Sequence, residues 1–148
     1  MIKSLLLTLL SLSLSFGALK ADLPTKTGDF PPEQMKQQKS EIVKLVVKEI
    51  KSTLPQVIDK YTSFTDIKAK GTRLIYTFEI NTGSKSDASV KKEDRSRMKK
   101  AVTVGICQSS RKFLEAGINT SYSYISTKSK AELFRFDISQ ADCVGLVH

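Results

Sequence analysis

Twice along this chain, apolar residues that recur every three or four positions give way to apolar residues that alternate. That double switch limits the fold more than any other feature. Over residues 33–54, Ile42, Leu45, Val46, Ile50 and Leu54 form one helical stripe. Pro32 is tolerated in the first turn, Lys44, Lys48 and Lys51 fall largely off the stripe, and Pro55 stops or kinks the helix. Val57 and Ile58 extend the apolar face by a turn. Two strand-like runs follow, 61–69 and 72–80, separated by Lys70-Gly71, where glycine supplies the positive φ of a tight hairpin. In the second run Leu74, Tyr76, Phe78 and Ile80 share a face opposite Arg73, Thr77 and Glu79.

A polar loop over 81–90 leads to a second helix over 91–116. Its stripe is Met98, Val102, Ile106 and Phe113, helped by Ala101 and Gly105, and Gly117 stands at the C-cap position. A strand over 119–126 then puts Tyr122 and Tyr124 on one face. A polar turn at 127–130 precedes a strand over 132–138 with Phe134, Phe136 and Ile138 on one face. The order α-ββ-α-ββ predicts an α+β fold. Two hairpins merge into a four-stranded antiparallel sheet, and both helices cover one side of it, because each apolar face must find a partner.

Residues 1–21 read differently. Lys3, an apolar run from Leu5 to Phe16, and small residues at Gly17, Ala18 and Ala21 follow the order of a secretory signal peptide. The run is about a dozen residues and carries Ser11, Ser13 and Ser15, where a membrane span needs roughly 20 apolar positions. A cleaved leader is expected, with an uncleaved anchor or buried helix as the alternative. Residues 22–32 hold Pro24, Pro31, Pro32 and Gly28 and are expected to be a flexible lead-in, which leaves 33–148 as a single α+β domain. A periplasmic or secreted protein follows.

Export gives the two cysteines their meaning. An even pair in an oxidising compartment, Cys107 in the second helix and Cys143 after the last strand, is expected to form a disulfide that pins helix to sheet edge. The alternative, a nucleophilic or redox thiol, needs a nearby base or electropositive pocket, and the one histidine is His148.

Composition excludes several classes. The 148 residues carry 24 Lys plus Arg against 15 Asp plus Glu, with one His and no Trp, which suits neither a multidomain enzyme nor a zinc centre. No cofactor or metal is expected, and no catalytic motif of the Gly-x-Ser-x-Gly, His-Glu-x-x-His or phosphate-loop kind occurs. Glu93 and Asp94 are adjacent and point apart on a helix, so they read as solvated charge and not as an acid–base pair. The basic run Lys91, Lys92, Arg95, Arg97, Lys99 and Lys100 could meet phosphates, anionic lipid or an acidic partner, but it is spread around the helix and reads as a solvated helix start. Nucleic acid is disfavoured by export, and Tyr122 and Tyr124 read as sheet cover, not as a base-stacking platform.

The segment Glu115-Ala116-Gly117-Ile118-Asn119, the Tyr122 and Tyr124 strand, and Asp142-Cys143-Val144-Gly145 near the end resemble the beta-type pilotins of type II secretion systems. Cys107 matches the other disulfide cysteine of that family, and Leu54-Pro55 and the 61–80 hairpin fall in comparable places, so the resemblance covers residues 54–148. It implies a non-enzymatic chaperone that binds the C-terminal segment of a secretin subunit and aids its assembly. The family's members are lipoproteins. Here Cys107 and Cys143 are the only cysteines and neither follows the leader, so membrane association is expected only through a partner. The resemblance thus implies a soluble periplasmic assembly factor. The competing reading is a periplasmic inhibitor or immunity protein that sets its positive surface against an acidic toxin or hydrolase.

Overall fold

The computed structural model describes residues 31–146; the expected leader over 1–21, almost all of the expected lead-in over 22–32, and residues 147–148 lie outside the described residues. Helix α1 spans Pro32–Lys51, with proline at its first position and the Pro31 carbonyl accepting from the Gln34 and Met35 amides. It stops one turn short of Leu54. The peptide bond before Pro55 is cis, and the chain then enters a short strand β1, Gln56–Val57. The expectation that Val57 and Ile58 continue the helical face is therefore corrected. Pro55 has no N–H to give a helix, and Gln56 and Val57 pair with the next strand instead.

Strands β2 (Thr62–Lys70) and β3 (Arg73–Ile80) form a hairpin with Lys70 opposite Arg73. Its two-residue turn is Gly71-Thr72, one position later than expected, with Gly71 at φ +58°. A positive φ confined to the first central residue is the II′ geometry that matches strand twist. Helix α2 spans Asp87–Ser109 and begins a turn earlier than Lys91, because the Ser86 hydroxyl accepts from the Ser89 amide at 3.2 Å and caps it. The helix breaks at Ser110, and a separate turn α3, Arg111–Glu115, follows. Gly117 (φ +77°) ends α3 in a Schellman motif: its amide donates to Leu114 and that of Ile118 donates to Phe113. Strands β4 (Asn119–Ser126) and β5 (Glu132–Ile138) have the bounds read from the sequence, and a 3₁₀ turn at Gln140–Cys143 closes the domain.

The fold is α+β, but the sheet has five strands in the order β1-β2-β3-β4-β5 and is mixed. The four-stranded, wholly antiparallel arrangement is corrected. Strands β3 and β4 are parallel neighbours, since α2 carries the chain back along the sheet and β4 starts at the same end as β3. The other pairs are antiparallel.

Cross-strand register sets the inner face. Phe64 stands opposite Phe78, Phe78 opposite Tyr124 and Tyr124 opposite Phe134; Ile67, Tyr76, Tyr122 and Phe136 make the adjacent row. Under α1, Val43 packs with Phe64, Ile67, Leu74 and Ile118; under α2, Val90 and Ile106 pack with Tyr122, Tyr124, Phe134, Phe136 and Ile138. Val43 is fully buried, whereas Leu45, expected on the buried stripe, is 62% exposed. On α2, Ala101 and Gly105 are exposed and Val90 is buried. The inward residues Val90, Asp94, Met98, Val102 and Ile106 fall at unbroken four-residue steps, which rotate about 40° each on a 3.6-residue helix, so α2 crosses the sheet obliquely. Beyond the break at Ser110, Leu114 falls on the same series and is buried, while Phe113, expected on the stripe, is exposed.

Cys107, fully buried on α2, is bonded to Cys143 of the 3₁₀ turn, with Sγ–Sγ 1.95 Å and Cα–Cα 5.4 Å across 36 residues of chain.

Candidate partner-binding trough

The two helices divide the inner face between them: α1 rests on β2 and β3, and α2 on β5. Tyr76 and Phe78 at the middle of the sheet pack against both core clusters yet remain half-buried. They form the floor of a trough between the helices. Its rings stack across the strands, with centroids 5.0 Å apart for Phe64 and Phe78, 5.1 Å for Phe78 and Tyr124, and 4.8 Å for Tyr76 and Tyr122. Offset stacks at such spacings hold large apolar area in one fixed plane.

One flank of α1 faces β2, where the Lys51 ammonium meets Asp66 at 3.5 Å. On the other flank the Lys39 ammonium lies 3.1 Å from where a Cβ on Gly117 would stand, just ahead of β4. With about 100° per residue, Ile42 and Val46 belong to the β4 flank and are half-buried there, whereas Leu45 stands about 200° round from Val43, on the solvent side of α1, and is 62% exposed. On α2, Met98 and Val102 are half-buried against the same cluster that Tyr76 and Phe78 border.

Polar groups on the floor lack partners. Burial pushes the Tyr124 phenol up to about 12 and raises those of Tyr76 and Tyr122, and no hydrogen bond from another described residue offsets it. The Thr120 hydroxyl, on the same face, is buried without a partner. The three phenol oxygens are not among the fully buried unpaired atoms, so they stay open to water and to a bound segment, whereas Thr120 is sealed beneath the core. All three phenols stay neutral at physiological pH and offer hydroxyls, not charge.

Other sequence candidates are placed elsewhere. The basic residues 91–100 are exposed: Arg97 pairs with Asp94 at 2.8 Å and Arg95 lies 5.8 Å from the Phe136 ring. Glu93 binds Lys85 at 2.7 Å on the surface. A cleft of about 250 Å³ beside the disulfide is lined by Cys107, Arg111, Leu114, Glu115, Cys143 and Val144. Among the described residues no three side chains of metal-ligating type come together, and no helix is long and apolar enough to cross a membrane. Sequence spacing put Tyr76 and Phe78 on the inner face. It did not show that the two helices leave them partly uncovered, because that depends on the parallel step between β3 and β4.

No protein-family model matches this chain, and no curated protein is significantly similar to it in sequence. Solved structures do match in fold. A Pseudomonas aeruginosa protein described as secreted superposes with a TM-score of 0.63 at 18% identity, over 74% of this chain and 96% of its own. The pilotin EpsS of the Vibrio vulnificus type 2 secretion system gives 0.57 at 13% identity, over 75% and 96%. The type II secretion pilotin AspS of Vibrio cholerae gives 0.55 at 11% identity, over 75% and 97%. The chain therefore has the fold of type II secretion pilotins.

Proposed function

We infer that this chain is a non-enzymatic, pilotin-like assembly factor of the bacterial periplasm, and that it holds an apolar segment of a secretin subunit in the trough between α1 and α2. The observation that carries this reading is the half-buried aromatic floor, Tyr76 and Phe78, lying between two helices and flanked by unpaired phenols. Two groups of facts support it: the shared fold with two pilotins, and the resemblance at Gly117 and the cysteine pair. An amphipathic helix suits such a groove, laying its apolar face on the rings while its polar edge meets the tyrosine hydroxyls. The partner's apolar surface would otherwise face water during transit, and covering it is what an assembly chaperone does.

Binding of a labelled peptide from the C-terminal segment of a secretin tests the reading. Ile42→Asp puts a charge on the half-buried α1 flank that faces the trough, so in protein that circular dichroism shows to be folded the affinity should fall about tenfold or more, the equivalent of about 1.4 kcal/mol. Unchanged affinity in a folded Ile42→Asp protein would contradict the proposed site.

A further inference from the structure

The sheet ends in β5, and no described strand pairs with its second edge. Along the paired edge Phe134, Phe136 and Ile138 stand opposite Tyr124, Tyr122 and Thr120, while Arg135 and Asp137 stand opposite Ser123 and Ser121. An antiparallel ladder exchanges backbone hydrogen bonds only at every second pair. The Ser126 amide donates to Ala131, just ahead of β5, and the Thr127 amide donates to Ile80 of β3. Even positions of β4 therefore bond towards β5 and odd ones towards β3. It follows that Phe134, Phe136 and Ile138 hold the ladder, and that the amides and carbonyls of Arg135 and Asp137 point out of the sheet. No other described backbone group bonds them.

One flank of α2, which packs on β5, overlooks that open edge. Lys91, Arg95 and Lys99 recur there at four-residue steps. Lys91 stands near Glu132 at the start of β5, Arg95 lies 5.8 Å from the Phe136 ring, and Lys99 stands near Asp142 just past the strand's end. The other flank is turned to the loop after β3, where Glu93 binds Lys85. Most of the charge at the edge is balanced locally. Glu132 binds Arg135 and Asp137 binds Arg73. Lys91 has Asp87 beside it as well as Glu132, and Lys99 has Asp142. Arg95, exposed at the middle of the row, forms no ion pair with a described carboxylate.

Free backbone donors and acceptors at alternate positions are what an added strand requires. A second copy of this domain fits poorly, because it would bring its own α2 over its own β5. Neighbouring strands lie about 4.8 Å apart, whereas packed helices need about 8–10 Å. A lone extended segment brings no helix. Its side chains alternate between the faces of the sheet, and the one opposite Phe136 on the inner face passes beneath Arg95. We propose that β5 takes up an extended segment of a partner protein as an additional antiparallel strand, with an acidic side chain of that segment against Arg95. The trough lies on the other flank of α2, so the two sites can fail separately.

Short synthetic peptides test this: Thr-Val-Thr-Glu-Thr-Val-Thr, its counterpart with lysine at the centre, and the glutamate peptide N-methylated at the two threonines that flank the glutamate. Amide hydrogen exchange read by NMR reports on the edge itself. In the free protein the Arg135 and Asp137 amides should exchange fast, and saturation with the glutamate peptide should slow them about tenfold or more, while Phe134 and Phe136 are slow throughout. Affinity should be about tenfold lower for the lysine peptide, and Arg95→Glu, with unchanged circular dichroism, should reverse that order. The N-methylated peptide should not bind, since it cannot complete the ladder. Absence of glutamate-peptide binding up to about 1 mM would overturn the proposal. So would binding that leaves Arg135 and Asp137 exchanging as before, equal binding of the N-methylated peptide, or a peptide order that Arg95→Glu leaves unchanged. Slow exchange of the Arg135 and Asp137 amides before any peptide is added would show the edge to be covered already, and would overturn it too.

Discussion

Reducing the Cys107–Cys143 bond should cost this domain a large share of its stability, and the size of the loss follows from its topology. The bond closes a loop of 36 residues, and on the chain-entropy relation a loop of that length stabilises by about 4 kcal/mol at 25 °C. Native domains have roughly 5–15 kcal/mol in total. Reduction leaves both sulfur atoms in place, so the packing of Cys107, fully buried beside Leu114, changes little and the loop contribution is isolated. For a domain of this size about 4 °C of melting temperature accompanies each kcal/mol, so the midpoint should fall by about 15 °C. Thermal unfolding followed by circular dichroism, with and without a phosphine reductant, gives the number directly. The Cys107→Ala/Cys143→Ala protein should melt at or below the reduced one, because it also loses packing around position 107. A drop below about 5 °C on complete reduction would mean that α2 and the 3₁₀ turn are held by their other contacts, and that loop closure is not what the bond supplies.

Three further outcomes follow from the packing and the charges. Phe134 is 1% exposed at the centre of the α2 cluster, so Phe134→Ala should lower stability by about 3–5 kcal/mol in urea titration, while Val57→Ala at the exposed tip stays within about 0.5 kcal/mol. Ser86→Ala removes the cap on the Ser89 amide and should cost about 1 kcal/mol by the same assay. The Arg135 hydrogen bond, helped by that of Ser123, holds the Glu132 carboxyl below its ordinary 4.5, against the effect of its partial burial. A depressed folded value means that its contribution is present above about pH 4.5 and is lost as pH falls through it. Urea midpoints measured from about pH 6 to pH 3 should therefore fall less steeply for Glu132→Gln than for the parent.

Which parts of the structure could be read from the sequence depended on whether the signal was local. Alternation in β3, β4 and β5 survives folding because each strand has one covered face, so Leu74, Tyr122, Phe134 and Ile138 were placed correctly by period alone. Gly117 was legible because a Schellman cap needs a residue that accepts positive φ. Leu45 was misplaced because its three-residue step from Ile42 carries it to the solvent side of α1, about 200° round from Val43. Val43, two positions earlier, takes the core. Val90 was missed because Ser86, not Lys91, starts α2, and the cap residue four positions before it was read as loop. The parallel step from β3 to β4 has no local signature. It follows from where a 23-residue helix delivers the chain, and the uncovered aromatic floor follows in turn.

That floor carries the functional account, and a photo-crosslinker placed on it tests the account most directly. A benzophenone-bearing phenylalanine at Tyr76 projects into the trough, and the same group at Thr77 projects from the opposite face of the sheet. Irradiation of intact cells followed by purification and mass spectrometry should yield a secretin subunit attached at position 76 and not at 77. Equal crosslinking from both positions, or a secretin absent from the adducts at 76, would contradict the trough as its binding site.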